Sequence, residues 1–88
     1  MTKSTIHPAV EALSQTELTE ILLGLHARMD SLGERAALLI RSGADLRSVG
    51  DDMFRCLNTI LALYGADAAD SACSRFQSAR ARAFEAAQ

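Results

Sequence analysis

The residues able to do chemistry in this chain are few: His7, His26, Cys56, Cys73, the pair Asp51–Asp52 and the arginines Arg75, Arg80 and Arg82. A metal site needs ligands that converge, and these histidines and cysteines show no Cys-x-x-Cys, His-x-x-x-His or Glu-x-x-His spacing. A Cys–His nucleophile pair is not set by spacing, because its members meet only in the fold. Cysteines inside helical patterns usually act as small hydrophobes, and no oxyanion hole is legible beside them. Neighbouring acids on a helix point in different directions, so Asp51–Asp52 reads as capping and dipole partners, not as an acid–base pair. The glycines are scattered singly, which leaves no phosphate-cradling loop. His26, flanked by Leu25 and Ala27–Arg28, reads as a boundary side chain and not as a phosphotransfer histidine. Arg75 and Arg82 share a helix face and Arg80 is turned away. The cluster reads as a solvated helix end, with an electrostatic docking patch as its rival. No catalytic residue, cofactor site or metal site is expected.

What must position these residues is helical. Leu18, Leu22, Leu25, Met29, Leu32, Ala36 and Leu39 alternate at spacings of four and three. That period winds an apolar seam along a helix and requires another helix against it. Ser14 with Glu17 reads as a capping box, Leu13 with Leu18 as a hydrophobic staple, and Gly43 as the stop. The spacing predicts a first helix over 15–42. Gly24 and Gly33 lie inside it and mark candidate close approaches to another helix. A second helix is expected from an Asp45 N-cap to Gly65, with Leu46, Val49, Met53, Cys56, Ile60 and Leu63 as its seam. Gly50 before Asp51–Asp52 is a candidate break in its first turn. The short link makes these two helices an antiparallel hairpin. A third, Ala-rich helix starts at Asp67 or Asp70 and reaches toward Ala86. The fold class is therefore all-α: an antiparallel helical hairpin plus a third C-terminal helix, a small bundle. Residues 1–13 read as a flexible N-terminus with a short helical turn from Pro8, and 14–88 as one domain.

Composition narrows the function. The 88 residues include sixteen Ala and only four aromatics, so one molecule's core is thin and a partner or self-association would help to stabilise it. The net charge of −2 argues against general nucleic-acid binding. No window is apolar enough to span a membrane, and the N-terminus lacks a signal-peptide run. With two cysteines and no such signal, the expectation is a cytoplasmic protein with reduced thiols. Eight of the nine basic residues are Arg, which with the alanines is the style of a GC-rich bacterial genome.

Leu23 and Leu38 fall off the first seam, and Phe54 and Leu61 off the second. A hairpin leaves them wet, and an Ala-rich third helix cannot cover them all. They form the candidate apolar strip for a protein partner, with Arg28, Arg35 and Asp52 as rim charges. A closed three-helix core holding them is the alternative, and a homodimer is a third possibility. The hairpin resembles, in architecture only, the helical-hairpin RNA-binding regulator of plasmid copy number. Over about residues 14–86 the chain is similar in size, mild acidity, lack of catalytic residues and bacterial style to the small all-helical antiactivators of plasmid and integrative-element quorum sensing. That resemblance implies a non-enzymatic protein that binds a transcriptional activator and silences it, and it carries over no functional residue. A type III-like secretion chaperone and an RNA-binding bundle remain alternatives.

Overall fold

The computed structural model describes residues 13–86, which form three helices and no strand: α1 (Gln15–Ser42), α2 (Arg47–Tyr64) and α3 (Ala66–Ala86). The proposed turn from Pro8 lies outside the described residues, apart from Leu13. Helix α1 starts where its capping box dictates. The Ser14 hydroxyl oxygen accepts from the Glu17 N–H at 3.1 Å, and the Glu17 carboxylate accepts from the Ser14 N–H at 2.8 Å. It ends at Gly43, whose N–H donates to the Ile40 carbonyl.

The hydrogen bond from the Ser14 backbone, and then the one with its side chain, hold the Glu17 carboxyl below its ordinary value of 4.5. A lowered folded value means that this contribution is complete above 4.5 and is lost as pH falls through the depressed value. Ser14→Ala should cost about 1 kcal/mol at neutral pH. Glu17→Gln should lose stability at neutral pH but match the native chain in strong acid, as measured by urea unfolding at both pH values.

Two corrections concern α2. It begins at Arg47 and not at an Asp45 N-cap; Leu46 is the boundary residue, and the Asp45 carboxylate accepts from the Arg47 N–H at 2.8 Å. Nor does Gly50 break the helix, since its N–H donates to the Leu46 carbonyl at 3.0 Å. A helical glycine costs on the order of 1 kcal/mol. Val49, buried beside it, anchors that first turn in the core. At the other end Gly65 stops α2, and it alone separates α2 from α3.

The helices run up, down and up. Arg35 meets Asp52, Leu25 meets Cys56 and Leu18 meets Tyr64, an order that makes α1 and α2 antiparallel. Asp30 meets Arg75 and Arg41 meets Phe84, so α3 runs parallel to α1. The closest packing is between α1 and α3, where Gly33 lies against the Phe76 carbonyl, Ala79 and Arg80. Gly24, by contrast, has nothing near it. The core is as thin as the alanine content implies. Met29 and Ile60 are its largest fully buried side chains, supported by Leu32, Val49, Cys56 and Phe76. No described helix is long and apolar enough to cross a membrane.

Candidate protein-binding surface

All four residues of the expected apolar strip are exposed: Leu23 by 62%, Leu38 by 63%, Phe54 by 65% and Leu61 by 49%. They do not form one strip. At about 100° per residue, Leu38 lies nearly opposite the buried line through Met29 and Ala36. Leu23 lies near Asp30, on the side of α1 that faces α3. Phe54 and Leu61 share one flank of α2, next to Gly50, which lines the cleft between α2 and α3. Helix α3 stands between the two pairs, so they belong to two surfaces.

The two surfaces differ in quality. Leu38 sits among Glu34, Arg35, Arg41 and Ser42, and Leu23 among Thr19, Glu20, His26 and Ala27. Single apolar residues in polar surroundings are ordinary on a protein surface. On α2 the exposed residues are contiguous. Leu46, Gly50, Phe54, Leu57 and Leu61 follow at spacings of four, four, three and four, which is a second apolar seam beside the buried one. Leu46 is 40% exposed and Leu57 half-buried at the inner edge, while no charged residue lies on the line. Near its start, Ile40, Leu46, Met53 and Arg80 line an open apolar cleft of about 220 Å³. Arg80 covers one end of that cleft, its guanidinium 5.7 Å from the Phe76 ring centre.

Sequence reasoning missed this seam by placing Leu46 in the core line and reading Gly50 as a break. The four–four–three–four spacing was the signal available. The rim charges also take other roles. Arg35 pairs with Asp52 at 3.5 Å across the α1–α2 junction, a partly exposed pair made within the chain. Arg28 lies near Cys56.

Burial pushes the Cys56 thiol up, with Arg28 pulling it partly back, and its Sγ lies 3.7 Å from the Leu25 carbonyl oxygen. Such a thiol stays protonated at neutral pH and is a poor nucleophile. Both cysteines are free. The basic cluster is divided: Arg75 donates to Asp30 at 2.7 Å and shares a polar cleft with Arg82, Ser74 and Ser78, while Arg80 faces the apolar cleft. Among the described residues, no three His, Cys, Asp or Glu side chains are grouped to hold a metal ion. No protein-family model, curated protein or solved structure matches this chain.

Proposed function

We propose that this chain is a non-enzymatic regulatory protein of the bacterial cytoplasm that acts by stoichiometric binding. Its target is a transcriptional activator, which it sequesters in the manner of a quorum-sensing antiactivator. The observation that supports this reading is the second seam of α2, an apolar line about 23 Å long that the described helices leave largely open. An amphipathic helix of the target fits such a line, with Phe54 and Leu61 as the anchors that lose most water on binding. Leu46 and Leu57 extend the contact, and Arg47 and Asp51 beside the seam set the register. Leu23 and Leu38 are not needed.

Affinity purification from the native cell, followed by identification of the bound protein, tests this. The native chain should retain a transcriptional activator. Phe54→Asp and Leu61→Asp should each release it at least tenfold while circular dichroism shows unchanged helicity. Capture unaffected by both substitutions would remove the seam from the mechanism. Recovery of a secreted protein whose level falls when this chain is deleted would replace the activator reading with that of a secretion chaperone.

A further inference from the structure

We infer that the groove on either side of Arg80, where α1 and α3 finish and α2 begins, docks a peptide segment bearing a carboxylate between two large apolar side chains. This goes beyond the α2 seam and does not rest on it: the groove shares only Leu46 and Gly50 with that line. Two open clefts make the groove. One, of about 220 Å³, lies between Leu46, Met53 and Phe76, and the other, of about 340 Å³, between Ala81, Phe84 and Glu85. Ile40 and Arg80 line both, so the clefts adjoin there. A cavity of ~150 Å³ accepts a benzene ring, so each cleft has room for one large apolar side chain. Along α3 the pair spans Phe76 to Glu85, about 14 Å of helix, which matches about two and a half turns of a second helix.

Arg80 gives the occupant its charge. Its guanidinium lies 5.7 Å from the Phe76 ring centre, against the apolar wall that the clefts share. Among the described residues Arg80 forms no ion pair, whereas Arg35, Arg47 and Arg75 each pair with an aspartate. A guanidinium backed by apolar walls is less hydrated than one in open water. A carboxylate that meets it there, while covering the groove, makes a charge-assisted hydrogen bond in a lower local dielectric. Glu85 stands in the second cleft and repels a further acid, which puts the carboxylate at the middle of the segment. Small-molecule sites enclose most of their ligand. These clefts are open along their length, which suits a segment of a larger chain.

The test uses the full chain and a labelled synthetic helical peptide with Leu, Glu and Leu at i, i+4 and i+7 of one face. Its twin carries Lys in place of Glu, and fluorescence anisotropy reads binding. The native chain should bind the Glu peptide roughly tenfold or more tighter than the Lys twin. Arg80→Gln should abolish that preference and Arg80→Glu should reverse it. Ile40→Gln should weaken both peptides, because Ile40 lines both clefts. Phe54→Asp, outside the groove, should bind as the native chain does, and circular dichroism should show all four variants equally helical.

Equal binding of the two peptides, or saturable binding of neither, overturns the inference. So does a preference for Glu that survives Arg80→Glu, or a loss in Phe54→Asp as large as that in Ile40→Gln. Dodecanoate that binds more tightly than the peptide and competes it away would assign the groove to a small amphiphilic anion instead. Release of the peptide as unlabelled native chain self-associates would assign it to a second copy. Activator capture that needs Phe54 but not Arg80 leaves the seam standing without the groove.

Discussion

Gly33→Ala is expected to destabilise the protein by about 1–3 kcal/mol, although alanine is the better helix former by up to ~1 kcal/mol. A β-carbon at position 33 would lie 2.5 Å from the Phe76 carbonyl oxygen and 3.0 Å from both the Ala79 β-carbon and the Arg80 nitrogen. Two of these are backbone atoms of α3 and cannot rotate aside. The helices must therefore separate, and the buried Ala37, Ala72 and Ala79 lose contacts along with them. Gly24→Ala makes the opposite prediction, a gain of up to ~1 kcal/mol, because nothing lies within 4 Å of that site. Urea unfolding of the two variants checks both signs at once. Equal stabilisation by both substitutions would show that α1 and α3 do not approach this closely.

Ile60→Ala should cost about 2–5 kcal/mol. Ile60 is fully buried and, among the described residues, faces a core with only one other large side chain as deeply enclosed, Met29. A chain of 88 residues has on the order of 4–13 kcal/mol in all, so this one truncation removes a large share. The melting temperature should fall by roughly 10 °C or more. Leu38→Ala removes a similar volume from an exposed site and should change stability by no more than about 0.5 kcal/mol. If the two variants melt together, Ile60 is not at the centre of the core.

Much of the fold was legible because local signals agreed with the global arrangement. Ser14 and Glu17 specify a cap on their own, the Leu18–Leu39 seam specifies a face, and Gly43 and Gly65 stop two helices. The start of α2 was misread because Asp45 does supply a side-chain hydrogen bond to Arg47, yet the helix geometry begins two residues later. The dominance of the α1–α3 contact was hidden for a different reason. Alanine and glycine give a weak apolar signal, but they allow backbones to approach most closely, so Gly33, Ala37, Ala72 and Ala79 mark the tightest junction with the faintest pattern. At the candidate surface, exposure of Phe54 and Leu61 could be read from their departure from the seam. Their separation from Leu23 and Leu38 could not, because it depends on where α3 lies.

The link between α2 and α3 is the lone Gly65, at φ 96° and ψ 179°. A side chain there strains the reversal. The relaxed alternative for such a variant is one straight rod of about 40 residues joining α2 to α3, about 60 Å from end to end. Its distal half could no longer fold back on its own α1, and the junction at Gly33 would be lost. The reversal at this one residue is thus what brings α3 back alongside α1.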